Sequence, residues 1–581
     1  MSQAATSKPV GRLLRRYIPI VGWLPNYQRR WLGRDAIAGV AVASVAIPTS
    51  MGYAGIAHVP VQVGLYALPL ALLLYAIFGS SRQLAVGPSS TVAIMSGASL
   101  VSLGVVGDVP TAIALTAAMA ITAGLMLVAA GVLGFGWATD FISRPVITGF
   151  TFGLGIVVVV AELPHILGIP TAATTPYGRV IDIAENLEGV SFLTIAVGVF
   201  ALAVMFLGSW WRPHWPWALA LMIVAIVVAG FLNPGQYGME TLGSIPAGLP
   251  DFGIPTFEAS QLPGVLLGGA AIALVGTGEG LSAGRIYAAK GNYRIRSSQE
   301  FIGAGAANIG SGLSSGMAVC GSVSRTGTAV ASGAKTQVSA LVALVTIVVV
   351  LLTLTDTLDD LPRVILSAVV IASVWSLMDV STMKRYWRIR RNDFVAAATG
   401  LLGVIALGPL YGLLAAVAIS LLGLVYRSNR IIVDPVGMIP DERAGWGFLP
   451  GHPERQSVPG ILVLRLGAPI FWANAARTGE AVLQLVDEER QELTAVVLDL
   501  EATGQLDITS VDMLTSLIDA LKKDGVDTYF ARVLPQTMEV IRKAGLADEL
   551  GEDHFWHSIT YTVEQACEQH GLAFDPPSGQ N

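Results

Sequence analysis

The sequence predicts a polytopic α-helical membrane protein that carries a small α/β domain at its C-terminal end. The 581 residues are 53% hydrophobic and only 13% charged, with a mean hydropathy of +0.63. A soluble protein carries about twice that share of charge. Long apolar segments fill the chain from Asp35 to Tyr426, and alternating strand-like and helix-like runs follow from about Gly460.

The apolar region divides into about fourteen predicted spans, most of them near the roughly 17–25 residues that cross a bilayer as a helix. In chain order they are Asp35–Ala57, Val63–Phe78, Pro88–Leu103, Thr111–Leu133, Pro145–Leu167, Ser191–Ser209, Trp217–Phe231, Leu262–Arg285, Ser298–Leu313, Ser324–Gly333, Val338–Leu354, Val364–Met378, Phe394–Leu407 and Leu410–Tyr426.

The charges of the loops support this number of spans. Loops after even-numbered spans are basic and loops after odd-numbered spans are acidic, with Arg179 and Arg363 as the two exceptions. Lysine and arginine accumulate on the cytoplasmic side of membrane proteins. The sequence therefore predicts that the even-numbered loops and the arginine-rich N-terminal segment are cytoplasmic.

The third and tenth predicted spans are short and interrupted by Gly, Pro and Ser. They occupy the same place in two halves of seven spans each, and because seven is odd the halves have opposite orientations. Broken spans at corresponding positions are typical of inverted-repeat transporters, which bind their substrate near the bilayer midplane. The sequence thus predicts a seven-plus-seven inverted repeat.

The break before the tenth span contains the strongest candidate site. It runs from Ala318 to Gly327 and holds an arginine among small polar residues. An arginine at membrane depth is costly and usually faces a cavity, and a helix that begins there directs N–H groups and a positive dipole end into the same space. The pattern predicts an anion cradle. Its proposed members are Ser322, Ser324, Arg325 and Thr326. The alternatives are an arginine paired to a structural carboxylate, or a loop outside the membrane.

The break before the third span is the counterpart of this cradle. Pro88 suits the first turn of a helix, and Ser89, Ser90 and Thr91 follow it as capping or ligand-binding hydroxyls. The first span is interrupted near its middle by Pro48, beside Ser50 and Tyr53, which we expect to line the pocket. A kinked helix with small packing residues is the equal alternative there.

Glu279 lies inside the eighth predicted span. A carboxylate is costly as an anion inside a bilayer, so Glu279 is a candidate proton carrier. Protonation of Glu279 next to a bound anion would relieve the repulsion between carboxylate and anion, and would couple the proton to the anion. A permanent ion pair between Glu279 and Arg325 is the alternative, and a proton-carrying role is compatible with such a pair.

Other classes of function find no support in the sequence. There is no GxxxxGK[ST] motif for ATP-driven transport and no arrangement typical of a catalytic triad. The histidines lack metal-ligand spacing, and Cys320 and Cys567 lie far apart. We therefore expect no enzyme activity, catalytic residue, metal or cofactor. The net charge of −6 gives no indication of a nucleic-acid partner.

The C-terminal part alternates between the two types of secondary structure, which is typical of a small α/β domain. We predict strands at Ile461–Leu466, Ala495–Leu500 and Thr528–Arg532, and helices at Ala475–Asp487, Val511–Lys523, Thr537–Ala544 and Thr562–His570. Asp507 or Thr509 is expected to cap the second of these helices.

Taken together, these motifs resemble the sulfate permease (SulP) family of anion transporters over nearly the whole chain, from about Tyr27 to Gly571. The resemblance is carried by Tyr27–Gly39 before the first span, Pro48–Ala54 within it, Gly79–Pro88 before the third span, Gly321–Thr326 at the start of the tenth span and the following Lys335–Gln337.

The resemblance implies a core bundle and a gate bundle, with the anion bound between the first, third, eighth and tenth spans. It also implies a cytoplasmic STAS domain, a homodimer in the plasma (inner) membrane, and elevator-like movement of core against gate. The expected domains are a cytoplasmic N-terminal segment at 1–34, the transmembrane domain at 35–427, a linker leading into the STAS domain at 428–459, the STAS domain at 460–571 and a tail at 572–581.

Two residues refine the resemblance. Because it has Glu279 in the eighth span, the chain resembles the proton-coupled sulfate symporters of the family rather than its sodium-coupled bicarbonate members. STAS domains that are switched by phosphorylation carry Asp-Ser-[Ser/Thr]-Gly where this chain has Asp507-Ile508-Thr509-Ser510. Because isoleucine stands at the usual acceptor position, a structural, dimerising or partner-binding role is expected for this domain, with a cytoplasmic protein as the partner.

The sequence therefore predicts a secondary active anion transporter, with sulfate as the favoured anion and protons as the coupling ion. Bicarbonate or dicarboxylate symport and anion exchange are alternatives within this class. An anion channel, or a membrane sensor that signals through the STAS domain, is the alternative from another class.

Overall fold

The computed structural model describes residues 17–136, 143–170, 173, 176–212, 215–243, 246, 248–375, 377–429, 432–440, 445–489 and 492–574. The chain forms two compact units, Met1–Leu421 and Leu422–Asn581. The described residues of the first unit share one large hydrophobic core, and those of the second form two smaller clusters on its sheet.

The first unit is helical. A short helix at Ile20–Trp23 precedes the main elements. These are α1 (Leu32–Ile56), α2 (Val61–Tyr66), α3 (Leu68–Phe78), α4 (Ser90–Ser102), α5 (Val109–Val132), α6 (Arg144–Leu167), α7 (Pro176–Glu185), α8 (Phe192–Trp211), α9 (Trp217–Leu232), α10 (Leu262–Lys290), α11 (Ser297–Leu313), α12 (Val323–Ala331), α13 (Val338–Thr353), α14 (Arg363–Trp375), α15 (Val380–Ile389) and α16 (Arg391–Ser428).

Each of the predicted spans corresponds to a helix or to part of one. The second span is divided into α2 and α3, and the last two spans form α16, which is interrupted by the non-helical residue Gly408 with φ 79°. In the described part of the chain, eight helical segments are long and apolar enough to cross a membrane. The predicted class of polytopic helical membrane protein is confirmed.

Two helices, α7 and α15, were not predicted. Both are ten residues long and neither contains a buried residue. Each has polar residues on one side of the helix and apolar residues on the other, which is typical of a helix on a surface. Neither contains the continuous apolar segment by which a spanning helix is recognised in a sequence.

The third and tenth spans are the short helices α4 and α12, of 13 and 9 residues. At 1.5 Å per residue they are about 20 and 14 Å long, against about 30 Å for the hydrocarbon core of a bilayer. Each is preceded by an extended segment, β1 (Val86–Gly87) before α4 and β2 (Cys320–Gly321) before α12. The helices therefore begin inside the bundle rather than at its surface.

Glycine allows the two halves to pack closely. A Cβ atom at Gly124 in α5 would lie 2.6 Å from the carbonyl oxygen of Gly305 in α11, and a Cβ atom at Gly305 would lie 2.6 Å from the carbonyl oxygen of Gly124. These helices thus pack with their backbones in contact, as small residues permit in membrane bundles.

A buried carboxylate joins α1 to the segment before α13. Asp35 is fully buried and accepts hydrogen bonds from the backbone N–H groups of Lys335 and Thr336, at 2.6 and 3.2 Å, and from the Thr336 hydroxyl at 2.8 Å. Gln337 donates to the carbonyl groups of Ser81 and Leu84. The Lys335–Gln337 motif therefore fixes the fold around the two short helices.

The second unit contains a six-stranded sheet covered by helices. Its strands are β3 (Val433–Met438), β4 (Trp446–Phe448), β5 (Ile461–Leu466), β6 (Ala495–Asp499), β7 (Asp527–Ala531) and β8 (Phe555–Trp556), and its helices are α17 (Ala475–Glu488), α18 (Ile508–Lys523), α19 (Pro535–Lys543), α20 (Leu546–Leu550) and α21 (Ile559–His570). The strand order is β4-β3-β5-β6-β7-β8. Strands β5 to β8 are parallel, and β3 is antiparallel to both neighbours.

The predicted elements of this unit coincide with β5, β6, β7, α17, α18, α19 and α21 to within a few residues. Strands β3 and β4 are unexpected from the sequence, because they lie in the segment 428–459 that is predicted to be a linker leading into this domain. Pro435 lies inside β3, opposite Leu464, and proline is a signal against a strand. Here β3 is nevertheless part of the sheet, because Leu449 and Leu464 pair with it on either side.

Candidate functional site

The starts of α4 and α12 are joined by a short antiparallel pair of strands. Val86 pairs with Gly321, and Gly87 pairs with Cys320. The N–H group of Ser322 donates to the carbonyl of Ala85 at 3.1 Å. Because the two strands run in opposite directions, the two broken helices start from one place in the bundle.

Two predicted members of the cradle maintain this junction. Ser322 is the N-cap of α12, and its hydroxyl accepts from the Arg325 N–H group at 3.4 Å. The Thr326 hydroxyl accepts from the N–H group of Ala85 at 3.0 Å. The side chain of Ser324 is exposed. Of these three residues, Ser324 is therefore the most accessible from solution.

Arg325 connects the two broken helices directly. Its side chain is 3% exposed. Nη1 donates to the carbonyl of Pro88 at 2.6 Å and Nη2 to the carbonyl of Gly87 at 2.9 Å, while Nε has no partner among the described residues. The guanidinium group is thus held next to the start of α4, where its charge adds to the positive end of the helix dipole.

Glu279 of α10 contacts both broken helices. The Ser89 hydroxyl donates to Glu279 Oε2 at 3.1 Å, and Cys320 Sγ lies 3.4 Å from the same oxygen. Ser89 Oγ and Cys320 Sγ are 3.0 Å apart. Within the part of the chain that the structure describes, no ion pair joins Glu279 to Arg325. The alternative of a permanent ion pair between them is therefore not observed.

The remaining predicted residues lie around this group. Ser90 and Thr91 are buried in the first turn of α4. Tyr53 of α1 is 8% exposed, and α1 packs against α4 and α12. Ser50 is fully buried, and its hydroxyl has no hydrogen-bond partner among the described residues. The structure thus brings together the first, third, eighth and tenth spans.

Sequence reasoning missed two contributors to the site. Cys320 carries no sequence signal beyond its lack of a nearby disulfide or metal partner, yet its buried thiol contacts Ser89 and Glu279. Gly87 leaves space for the guanidinium, because a Cβ atom there would lie 3.3 Å from Arg325 Cζ. The antiparallel register of β1 and β2, which the sequence does not encode in an obvious pattern, is what makes both residues part of the site.

The side chains of the described residues offer no ligand set typical of a metal site. Among these described residues, no group of three or more His, Cys, Asp or Glu side chains could hold a metal ion. The polar groups at the site are hydroxyls, a thiol, a carboxylate and a guanidinium. This set suits a small anion and a proton rather than a metal.

Broken helices that begin inside an apolar helical bundle, next to an arginine, define a membrane transport protein of the discontinuous-helix type. Residues 32–400 match the sulfate permease family, and residues 452–566 match the STAS domain. The chain belongs to the sulfate permease family, whose members are transporters and not enzymes.

Relatives support this assignment along the whole chain. It is 32% identical to a probable sulfate transporter of Mycobacterium tuberculosis (strain CDC 1551 / Oshkosh), over 94% of this chain and 98% of the relative. It is 30% identical to the probable sulfate transporter 3.3 of Arabidopsis thaliana, over 98% of this chain and 93% of the relative. It is 28% identical to sulfate transporter 3.1 of the same plant, over 95% and 87%.

Solved structures show the same fold. The structure of SLC26A9 matches with a TM-score of 0.89 and 21% identity, covering 97% of this chain and 94% of that one. The transmembrane domain of a cyanobacterium bicarbonate transporter, BicA, matches with a TM-score of 0.59 and 23% identity, covering 67% of this chain and 98% of that one. The expected transmembrane fold with a C-terminal STAS domain is confirmed.

Proposed function

We propose that this protein is a secondary active transporter that takes up sulfate together with protons. The observation that carries the proposal is the junction of α4 and α12, where two helix N-termini and the buried Arg325 guanidinium are held together in the bundle. The relatives from M. tuberculosis and A. thaliana are named as sulfate transporters, which favours sulfate among small oxyanions.

Sulfate is bound by charge and by hydrogen bonds from the start of the two helices. The first N–H groups of a helix have no intrahelical partner and donate to an anion in front of them. Ser89, Ser90, Thr91 and Ser324 supply hydroxyls, and Arg325 supplies a fixed positive charge. Ser322 and Thr326 also hold the junction, since their hydroxyl oxygens accept from backbone N–H groups, and each hydroxyl keeps its own proton to donate to the anion.

Glu279 carries the proton. Its Oε2 atom contacts Ser89, the first of the hydroxyls at the start of α4. A sulfate dianion bound at these hydroxyls and an ionised Glu279 carboxylate repel one another strongly in a low-dielectric site. Protonation of Glu279 removes the repulsion, so sulfate and proton bind together and leave together.

Alternating access is provided by movement of one helical bundle against another. The moving core contains α1, α4, α10 and α12, which contact one another around the site. The gate contains α6, α8 and α14, which also pack together. The site is carried with the core, and the transmembrane domain (35–427), the cytoplasmic STAS domain (460–571) and a homodimer complete the assembly in the plasma (inner) membrane.

Uptake of labelled sulfate into proteoliposomes tests the proposal. The wild-type protein is expected to accumulate sulfate only when an inward proton gradient is imposed, and excess unlabelled sulfate should block the signal. Flux that follows the sulfate gradient alone and never exceeds equilibrium would indicate a channel. No flux in folded protein would remove sulfate as the substrate and leave bicarbonate and dicarboxylates to be examined.

Variants separate the anion site from the proton site. Arg325→Gln is expected to abolish sulfate uptake, whereas Glu279→Gln is expected to remove the dependence on the proton gradient. Arg388→Gln and Glu188→Gln are matched controls, because both residues are exposed and lie away from the junction. Proton-driven uptake that persists in Glu279→Gln would exclude Glu279 as the proton carrier.

A further inference from the structure

A second group of basic residues lines a cavity elsewhere in the first unit. The cavity has a volume of about 340 Å³, and its walls include His58, His165, Arg179 and Arg363. A neighbouring cavity of about 300 Å³ shares Gly55, Glu162 and Arg363 with it. We call the first of these the outer cavity.

The two arginines of the outer cavity are the ones that violate the charge pattern of the loops. Arg179 and Arg363 follow odd-numbered spans, whose loops are otherwise acidic. Positive residues on that face work against the charge asymmetry that sets orientation. Membrane orientation therefore does not explain why arginine stands at these two positions. Both side chains line the outer cavity.

Arg179 is held in place by the backbone. Its Nε donates to the carbonyl of Ala173 and its Nη1 to the carbonyl of Ala161, both at 3.0 Å. No ion pair with Glu162 forms among the described residues, although both side chains line the cavity. The guanidinium group is thus held at the wall by two neutral carbonyl groups, with the Glu162 carboxylate in the lining of the same cavity.

Arg363 forms an ion pair with Glu240 at the edge of the cavity. Its Nη1 lies 2.8 Å from Glu240 Oε1, and His165 Nδ1 lies 3.1 Å from Glu240 Oε2. Glu240 itself does not line the cavity and is 55% exposed. Glu162 accepts from the Ser367 hydroxyl at 2.7 Å. The lining therefore contains two arginines and one carboxylate, and a second carboxylate, that of Glu240, is paired with Arg363 from outside the lining.

The kink in α16 adds hydrogen-bond donors. Gly408, Pro409, Leu410 and Tyr411 line the cavity at the point where the second half of α16 begins. The first N–H groups of a helix have no intrahelical partner. Pro409 has no N–H group, so the donors at this helix start are the N–H groups of Leu410 and Tyr411. The carbonyl of Ile405, at the end of the first half, accepts from the Tyr177 hydroxyl at 2.6 Å.

The outer cavity lies along the helix that begins at the central site. Ile94, Ala98 and Val101 of α4 line it, and α4 starts at Ser90. With a rise of 1.5 Å per residue, these positions are about 6 to 16 Å along the helix axis from Ser90. The cavity therefore lies on the side of the central site that faces the acidic loops.

We propose that the outer cavity is a second binding site for a small oxyanion, which holds an anion on the side of the membrane opposite the basic loops. Its volume far exceeds the roughly 30 Å³ that one water occupies, so the anion binds with part of its hydration shell. The proposal depends on Arg179, Arg363 and the helix start at Gly408. It does not depend on sulfate being the transported substrate or on proton coupling.

Protection of an introduced cysteine tests this site in the full-length protein. Ser102 lines the outer cavity and is exposed, while the native Cys320 and Cys567 are buried. The probe is sulfate, and the measurement is the rate at which N-ethylmaleimide modifies Ser102→Cys, with gluconate at equal ionic strength as the reference. Ala184→Cys in α7 is the control, because Ala184 is exposed and does not line the cavity.

We expect sulfate to slow the modification of Ser102→Cys severalfold and to leave that of Ala184→Cys unchanged. Arg179→Gln and Arg363→Gln in the Ser102→Cys background should each weaken the protection, whereas Arg325→Gln should preserve it. No protection of a reactive Ser102→Cys, or protection that disappears with Arg325→Gln, would overturn the proposal. If the Arg179→Gln and Arg363→Gln proteins do not fold, the modification rates of Ser102→Cys in sulfate and in gluconate still show whether an anion binds in the outer cavity.

The result is independent of transport. Protection without sulfate uptake supports the outer site and contradicts the proposed substrate. Proton-driven sulfate uptake without protection supports the proposed function and contradicts the outer site.

Discussion

Arg325 Nη2 donates a hydrogen bond to the carbonyl oxygen of Gly87 at 2.9 Å, across 238 positions of sequence. This bond connects the start of the tenth span with the start of the third. The arginine in the broken helix thus has two functions, since it fixes the junction of the two halves and places a positive charge at the candidate anion site.

Replacing Gly87 by alanine tests how closely this junction is fitted. A Cβ atom there would lie 2.7 Å from Leu68 Cδ2 and 3.3 Å from Arg325 Cζ. Leu68 can adjust, but the guanidinium must move away from the carbonyl groups that hold it. We expect Gly87→Ala to reduce sulfate uptake by about tenfold, since small displacements of binding groups are costly.

Gly278→Ala is the matched control for this variant. Gly278 lies next to Glu279 in α10, and a Cβ atom there would meet nothing within 4 Å. Its uptake is expected to equal that of the wild type. Equal uptake by Gly87→Ala would show that the position of Arg325 is not critical.

Replacing Arg325 by lysine separates its charge from its geometry. The ammonium group keeps the charge but lacks the planar fork that donates to two carbonyl groups. One of the carbonyls of Gly87 and Pro88 is then left without its partner, at a cost of about 1–3 kcal/mol for a buried group.

We therefore expect Arg325→Lys to lower both the thermal stability of the purified protein and its sulfate uptake. Arg388→Lys, at an exposed position of α15, should change neither quantity. An Arg325→Lys protein with wild-type melting temperature and uptake would mean that charge alone is required.

Much of the fold is encoded in features that a single sequence displays. Apolar segments gave the positions of the spanning helices, because a bilayer demands length and hydrophobicity. The short helices α4 and α12 were recognisable from their Gly, Pro and Ser residues. The amphipathic helices α7 and α15 and the strand β3 with its internal Pro435 were not, because their local composition is not typical of the structures they form.

The candidate site was predicted in its residue types but not in its contacts. The sequence indicated Arg325, Ser89 and Glu279 as members of one site. It did not indicate that Arg325 donates to backbone carbonyls, that Cys320 contacts Glu279, or that Arg179 and Arg363 share a cavity. These contacts depend on strand register and helix packing between segments far apart in the chain, which local patterns do not specify.

The pKa of His58 provides a test of the outer cavity that needs no ligand. His58 lies in the loop between α1 and α2, and burial together with the charges of Arg179 and Arg363 lowers its pKa from 6.5 to about 4. The other titratable side chains that line the cavity are Glu162, His165, Tyr177 and Tyr411. Between pH 6.5 and 4 the unfolded chain binds this proton and the folded chain does not, so His58 makes the protein less stable as the pH falls through that range.

We expect a titration of histidine-labelled protein by NMR to give a pKa near 4 for His58, with the signal assigned by its loss in His58→Gln. Arg363→Gln should raise this pKa towards 6.5, because one repelling charge is removed. Arg388→Gln serves as the control and should leave it unchanged. A His58 pKa near 6.5 in the wild type would contradict the arrangement of charges described here.

The second unit offers a test in which the substituted residue caps a helix. Asp507 accepts hydrogen bonds from the N–H and hydroxyl groups of Ser510, at 2.8 and 2.7 Å, and from the N–H group of Trp472 at 2.7 Å. Burial opposes ionisation, but these bonds outweigh it and lower the pKa of Asp507 below its usual 3.8. The cap is therefore fully charged at neutral pH, and its contribution to stability is lost only as the pH falls below 3.8 and through the lowered pKa.

Replacing Asp507 by alanine is expected to weaken α18 by about 0.5–2 kcal/mol, because the helix loses an N-cap. Hydrogen exchange of peptides from Ile508–Lys523 in the full-length protein measures this directly as faster exchange at neutral pH. Asp507→Asn should retain most of the protection, since asparagine caps helices as well as aspartate does. Asp512→Ala, at an exposed position of the same helix, is the control for loss of a charge without loss of the cap. Exchange in Asp507→Ala that matches Asp512→Ala would show that the helix start is held by the surrounding sheet and not by this carboxylate.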